Sequence, residues 1–292
     1  MIVVARRSGC RLGNRLEQAA HLFALCHLTG NELALPVFAQ YGKCFVGSEG
    51  DPFCRFPQRP RNLVMSLIPH SLAYAFSWLL AVSRPNLNWL GISYYGCDND
   101  REVDLMSTEF LHELAKSRIV LLHQGWKYRC REGLEAGLPA MRKFFAPTRV
   151  LAETTKQRII FARKHADVLI GVHVRQTDFK FHLGGRFYFS VEEYSKVMKA
   201  LEEQFRPRRV AFLVTSDENL QEDNFRGLDV SFGSGEVIED LYALAGCDYI
   251  VGPEISSFSG WASLYGEVPF LGLHSNDQKV FLADFKPSPL LS

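Results

Sequence analysis

A chain of 292 residues, 47% hydrophobic and 12% aromatic, can bury a substantial core as one large domain or two of ordinary size. Lys and Arg number 33 against 32 Asp and Glu, a formal net charge of +1. That balance gives no broad electrostatic field to recommend nucleic acid or an anionic membrane as the main partner, so any anion has to be met by a local group of residues. Cys10, Cys26, Cys44, Cys54, Cys97, Cys130 and Cys247 form neither a CxxC pair nor a metal-ligand spacing. They read as the reduced thiols of a cytoplasmic protein, a Cys44 to Cys54 bridge being the alternative for a secreted chain.

The amino terminus, MIVVARRSGCRLGN, has too short an apolar run for a signal-peptide core and predicts an opening strand over 2–5, with nothing cleaved. A polar turn over 6–13 leads into a helix, LEQAAHLFALCHLTG. Here Leu16, Ala19, Ala20, Phe23, Ala24 and Cys26 lie near helical spacing, and Gly30 and Asn31 supply the stop. Between 39 and 97, prolines at 52, 57, 60, 69 and 85 interrupt any pattern, so insertions over a sheet are expected. Within this stretch LVMSLIPHSLAYAFSWLLAV, opening at Leu63 and closing at Val82, holds no Asp, Glu, Lys or Arg and is flanked by Arg59, Arg61 and Arg84. It is as long as a membrane span requires, but Pro69, His70 and its serines favour a buried helix or a lid over an acceptor. Peripheral membrane contact, lying in the interface, is the second reading. A strand over 119–122 and a charged helix over 147–164 follow, the helix suited to joining two lobes.

Beyond it the alternation is regular. Strands over 168–174, 210–215, 228–231, 249–251 and 270–273 are separated by helices over 191–205, near 219, over 237–244 and from 257. Ser190 and Glu193 form a capping box ahead of the first of these helices. Such alternation implies parallel βαβ units with helices on both sheet faces, where ligands bind beyond the carboxyl ends of the strands.

Three loops fall at that edge. GVHVRQTDF places His173, Arg175 and Asp178 at one strand end; Thr215, Ser216 and Asp217 close the next; Ser256, Ser257, Phe258 and Ser259 open a helix after a third. Arginine binds phosphate oxygens in bidentate fashion, and a serine-capped helix start offers unpaired N–H groups to an anion. Carboxylates such as Asp217 and Asp240 suit ribose hydroxyls or the amino edge of a base. Together these groups describe a pocket for a nucleoside diphosphate. Each also has an ordinary reading, as an Arg175–Asp178 ion pair, a helix cap, or capping beside an aromatic core residue. Convergence on successive strand ends of one sheet is what favours the pocket. On the other half of the chain, GCRLGN brings Arg11, Gly13 and Asn14 between strand and helix. Gly13 permits close approach or a positive φ there, and Asn14 can cap the helix or bind a ligand hydroxyl. Neither GxxxxGK[ST] nor GxGxxG occurs, which excludes a P-loop NTPase and argues against a dinucleotide dehydrogenase.

These stretches resemble the GDP-fucose-dependent fucosyltransferase superfamily, whose members make α-1,2 and α-1,6 linkages or modify protein hydroxyls. RLGNRLEQAAHLFALC is similar to its amino-terminal glycine-asparagine loop and helix, GVHVRQTDF to its His-x-Arg-Arg-x-Asp motif, and LVTSDE to the following Ser-Asp segment. EDLYALAGCDYIVGPEISSFSGWASLYG is similar to the α-1,2 family's carboxyl-terminal block. Gln176 stands where the motif has its second arginine, and Gly260 where the block has a second aromatic residue. The resemblance implies an α/β, GT-B-like fold of two Rossmann-like lobes with parallel sheets and an interlobe cleft. Residues 1–155 would be the acceptor-side lobe with its irregular insertion, and 156–292 the nucleotide-sugar-binding lobe.

It further implies an inverting transfer from GDP-fucose to a hydroxyl of an oligosaccharide or glycoconjugate, with no metal and no cofactor beyond the donor substrate. Arg175 takes the place of the arginine that binds and stabilises the leaving diphosphate, with Asp178 and His173 beside it in the catalytic set. Arg11, Gly13 and Asn14 belong to the donor sugar and phosphate. Thr215, Ser216, Asp217 and Asp240 go with the guanosine, and Ser256, Ser257 and Phe258 with the phosphates and neighbouring wall. His173 reads equally as a buried, hydrogen-bonded histidine, and the proton acceptor is open among Asp178, His173 and His182. A transferase for another sugar nucleotide, or a binding protein without turnover, are the alternatives.

Overall fold

The computed structural model describes residues 1–5, 11–58, 67–98 and 101–291. Cys10, Arg59, Arg61 and residues 63–66 of the uncharged stretch lie outside them. The chain divides into two compact units, Met1–Thr148 and Arg149–Ser292. The expected boundary, at 155, falls inside a helix that belongs whole to the second unit.

In the first unit β1 (Ile2–Val4) is followed by α1 (Leu12–Thr29), β2 (Leu33–Ala34), a 3-10 segment over Pro36–Cys44, β3 (Arg55–Phe56), α2 (His70–Ser83) and β4 (Ile92–Gly96). Then come β5 (Val103–Asp104), α3 (Thr108–Lys116), β6 (Ile119–Gln124), β7 (Tyr128–Arg129) and α4 (Leu134–Phe144). The main sheet runs β3-β2-β1-β6-β4, parallel throughout except for β3 against β2. The β-branched run IVV makes β1, with Ile2 and Val4 buried. Helix α1 is buried on nearly every side, and apart from the Gln18 amide nitrogen, which has no hydrogen-bond partner, several of its polar residues carry internal partners. Arg15 donates to the Val37 carbonyl at 2.9 Å, Glu17 pairs with Arg129, and the His21 ring meets the Cys130 backbone. It stops at Gly30, left-handed at φ 67°, whose N–H bonds to the Cys26 carbonyl.

Two expectations change here. Helix α1 opens at Leu12, not Leu16, with Arg11 at its N-cap, so Gly13 lies in the first helical turn and not at a positive φ. Asn14 stands three residues inside and is not the cap. Helix α2 does occupy the uncharged stretch, but only Ala73, Ser77 and Ala81 face inward, so it is not a buried helix. Among the described residues no helix is long and apolar enough to cross a membrane.

The second unit contains α5 (Arg149–Ala162), β8 (Val168–Val174), α6 (Val191–Gln204), β9 (Val210–Ser216), β10 (Val230–Phe232), α7 (Val237–Ala245), β11 (Tyr249–Pro253), α8 (Ser257–Gly266) and β12 (Phe270–Leu273). Its sheet runs β10-β9-β8-β11-β12, all parallel. Every residue of β8 is buried, as the central strand of a doubly covered parallel sheet requires. The capping box forms, with Glu193 N–H on Ser190 Oγ at 3.3 Å and Ser190 N–H on Glu193 Oε2 at 2.6 Å. The expected connector is α5, which instead turns Thr155 and Ala162 inward and packs on α7 and β9. The helix expected near 219 is a 3-10 turn over Glu222–Phe225. Strand order reverses beside β8, whose neighbours are β9 on one side and β11 on the other. This is a topological switch point.

Close packing of α1 on α4 depends on Gly137: a Cβ there would lie 2.9 Å from Ala24 Cα and 3.0 Å from Ala24 N. Backbone cannot yield as a side chain can, so Gly137→Ala should destabilise the first unit by about 1–3 kcal/mol. A lower urea midpoint with unchanged slope is the expected result.

Candidate functional site

The parallel register of β8 with β9 sets His173 opposite Thr215 and Val174 opposite Ser216. The next residue of each strand, Arg175 and Asp217, therefore emerges side by side. Arg175 Nη1 lies 3.1 Å from Asp217 Oδ2, and Nη2 lies 2.8 Å from Asp178 Oδ1. The Phe179 ring sits 5.7 Å from the guanidinium carbon, a cation–π contact. The two carboxylates differ in setting: Asp217 is 16% exposed and Asp178 44%. Asp217 also accepts from Gln176 N–H at 2.8 Å, from Thr177 N–H at 3.4 Å and from the Thr177 hydroxyl, so one carboxylate fixes the whole turn after β8.

Gln176 is buried, its amide donating to the Phe189 carbonyl at 2.8 Å and to the Arg175 carbonyl at 3.3 Å. The charge that this chain lacks relative to the motif is thus missing from a packing position. Gly260 has an equally local reason. A Cβ there would touch Leu290 and Pro289, and its carbonyl accepts from Ser288 Oγ at 2.7 Å, so the carboxyl-terminal segment lies where an aromatic side chain would project.

On the other flank of β8, His173 joins the start of α8. Its Nδ1 lies 2.7 Å from Ser259 Oγ and 3.2 Å from Ser256 Oγ, and its ring centroid is 4.9 Å from that of Phe258. Ser256 caps α8 by accepting the Ser259 N–H. No acidic residue stands in the first turn of α8, or of α1, so neither helix start carries a competing negative charge. Gly252 on β11 makes the junction fit: a Cβ there would stand 2.7 Å from Ser259 Oγ and 3.3 Å from His173 Cβ. Burial pulls the His173 pKa down to about 4 against the opposing pull of Asp217 and Asp178, so the imidazole is neutral at physiological pH.

Sequence reasoning thus placed Arg175, Asp178, Asp217, His173, Ser256 and Phe258 in one neighbourhood, and the structure brings them together there. Thr215 is buried, with its hydroxyl lacking a protein partner, and Ser216 Oγ accepts the Glu218 N–H at 3.1 Å. Ser257 is the first residue of α8. Asp240 serves a different loop: it accepts from Ser234 N–H at 2.6 Å and Gly235 N–H at 3.2 Å, and burial raises its pKa despite those bonds. Arg11, Gly13 and Asn14 open α1 in the first unit. The sequence reading missed Thr177, Phe179 and Gly252; only the adjacency of TDF to Arg175 offered a signal for the first two. A cavity of about 820 Å³ lines the β12 edge with Glu254, His274, Gln278 and Lys286 and includes none of the expected site residues. Among the described residues no three His, Cys, Asp or Glu side chains are grouped to hold a metal ion.

No protein-family model matches the chain, and no curated protein does. Solved structures do. A mutant of Arabidopsis thaliana FUT1 in complex with GDP matches with a TM-score of 0.60 at 17% identity, covering 94% of this chain and 70% of that one. The fucosyltransferase NodZ from Bradyrhizobium matches at 0.56 and 18% identity, covering 93% and 94%. POFUT1 in complex with GDP-fucose matches at 0.51 and 10% identity, covering 94% and 96%. The chain therefore has an α/β, GT-B-like fold of the kind those fucosyltransferases share.

Two buried histidines contribute to the pH response. His21 and His173 have ordinary values near 6.5 and folded values of about 4, both lowered mainly by burial. Between these limits the unfolded chain binds protons that the native chain refuses, so their stabilising contribution is whole above the upper limit and is lost as pH falls through the window. The expected slope is about 1.4 kcal/mol per pH unit for each histidine. Unfolding midpoints measured across the window should fall with pH, and His173→Gln should flatten the second unit's share.

Proposed function

We propose that this chain is a glycosyltransferase that moves fucose from GDP-fucose to a hydroxyl of an oligosaccharide or glycoconjugate, inverting and without a metal. The observation that carries this reading is the Arg175 guanidinium, held by Asp217 at the switch point of a parallel sheet, one residue past the strand whose His173 is bonded to the α8 start. Similar folds in proteins described as fucosyltransferases support it, among them NodZ, an α-1,6-fucosyltransferase co-crystallised with GDP. Within that class the carboxyl-terminal block EDLYALAGCDYIVGPEISSFSGWASLYG favours the α-1,2 kind. Reduced thiols at Cys44 and Cys54 suit a cytoplasmic setting.

The chemistry follows from the charges. The bond from the sugar's anomeric carbon to the diphosphate breaks, and its electron pair leaves on the phosphate oxygen while positive charge grows in the ring. The acceptor oxygen forms the new bond and gives up its proton to a base. Arg175 meets the departing charge as a fixed, desolvated cation, exchanging its exposed partner Asp178 for phosphate while keeping Asp217. Thr215, Ser216 and Asp217 on the β9 end and Ser256, Ser257 and Phe258 at α8 hold the donor. Asp240 shapes the turn over 233–235 on its guanosine side. Arg11, Gly13 and Asn14, at a helix start free of acidic residues, take the same anionic ligand class. His173 is a positioning residue that orients the two serines, which leaves Asp178 and His182, both exposed, as candidates for the base.

Loss of a preorganised charge-stabilising donor costs about 100- to 1000-fold in rate. Arg175→Ala should lose that much turnover with the fold intact by circular dichroism, and calorimetry should show GDP and GDP-fucose binding the native protein in preference to UDP-sugars. Unchanged turnover in the variant would reject the site.

A further inference from the structure

The cavity beside β12 lies apart from the Arg175 turn, since β12 is the outer strand of its sheet and β11 stands between it and β8. Its volume of about 820 Å³ falls in the range of about 300–1,000 Å³ usual for small-molecule sites. The backbone at this edge is already paired. The Gln278 side chain takes the place of a neighbouring strand: its Nε2 donates to the Gly272 carbonyl at 3.2 Å, and its Oε1 accepts the His274 N–H at 2.9 Å. Lys286 exchanges both backbone bonds with Phe270, at 2.7 and 3.0 Å. An extended peptide adding itself as a strand would have to break these bonds, which argues against a strand-addition site.

The side chains lining the cavity are polar and uncommitted. Glu254, His274, Lys279 and Lys286 are exposed, and none of these four side chains has a hydrogen bond or ion pair among the described residues. With Asp284 the lining sets two ammonium groups against two carboxylates, so it draws no ion of either sign, which argues against a phosphate or sulfate ligand. A wholly apolar ligand would strip water from those charges and return no hydrogen bonds. The rest of the wall is apolar: Pro287, Pro289 and above all Phe281, whose side chain is 54% exposed. That ring stands on a fixed backbone. Val280 and Leu282 on either side of it pack on the core. Gln204 of α6 donates to the Val280 carbonyl at 2.8 Å and accepts the Leu282 N–H at 3.2 Å, while Asp284 accepts the Phe281 N–H at 2.8 Å. A fixed aromatic face among separate donors and acceptors suits a ligand with hydroxyls on its rim and C–H groups on its faces, which is the chemistry of a neutral sugar ring.

We propose that this cavity is a second ligand site, separate from the Arg175 turn, that binds a neutral oligosaccharide. Phe281 is its stacking platform, Glu254 accepts from sugar hydroxyls, and Lys279 and Lys286 donate to them. The inference goes beyond the donor chemistry and does not require turnover. The test passes the labelled whole chain over an array of neutral, sialylated and sulfated oligosaccharides, then titrates the strongest ligand by calorimetry. Saturable binding to neutral glycans is expected, undiminished by saturating GDP or by Arg175→Ala. Phe281→Ala should weaken it about tenfold or more and Glu254→Ala about fivefold or more, with circular dichroism unchanged because both side chains face solvent. No binding to any glycan, binding confined to sialylated or sulfated ones, or undiminished binding by Phe281→Ala would overturn the proposal. So would loss of binding in Arg175→Ala, which would place the glycan at the transfer site. Turnover by the native protein with an empty array would overturn this site alone and leave the donor reading standing.

Discussion

Parallel strands in register deliver the residues just past their ends as neighbours, and here that places Arg175 against Asp217. A guanidinium that is only 14% exposed needs such a partner, because an uncompensated buried charge costs several kcal/mol. The carboxylate does more than neutralise. By collecting the Gln176 and Thr177 N–H groups and the Thr177 hydroxyl, it converts the end of β8 into a fixed turn. The orientation of the cation is therefore set by the sheet before any ligand arrives, which is the condition under which a charge contributes fully to transition-state stabilisation.

The opposite flank of β8 follows the same logic with neutral groups. A protonated His173 would bring positive charge into a fully enclosed site, and burial keeps the ring neutral. A neutral imidazole can share hydrogen bonds with Ser256 and Ser259 and so tie β8 to the start of α8. Gly252 gives way so that the serine can approach. One strand thus presents a cation to its β9 side and a hydroxyl-lined helix start to its β11 side. Both flanks lie at the reversal of strand order, where sheets of this kind leave a crevice.

The second unit was legible in the sequence because buried parallel strands such as VLIGVHV are continuous apolar runs and its helices have regular periods and a capping box. The same regularity located the site, since the strand ends could be counted. The first unit was harder. Strand β4, ISYYG, is half-buried at the sheet edge and has no clean alternation, while in α4 Gly137 and Pro139 interrupt a run of otherwise strong helix formers. Helix α2 misled through its hydrophobicity, because composition reports how apolar a helix is and not which side it turns inward; small residues at 73, 77 and 81 were the available sign. The start of α1 was misplaced by reading Gly13 as a turn residue, when it sits in the first turn of the helix. Pairings across distant sequence, such as Asp217 with the turn after β8, carry no local pattern at all.

The central claim is that the Arg175 guanidinium, steadied by Asp217, is the group that receives the diphosphate. Following the guanidinium N–H resonances of Arg175 by NMR during a titration with GDP tests it most directly, with Arg175→Lys providing the assignment. Saturable shifts and slowed rotation of the side chain at the concentrations where GDP binds are predicted. GDP bound at full occupancy with those resonances unmoved would contradict the account.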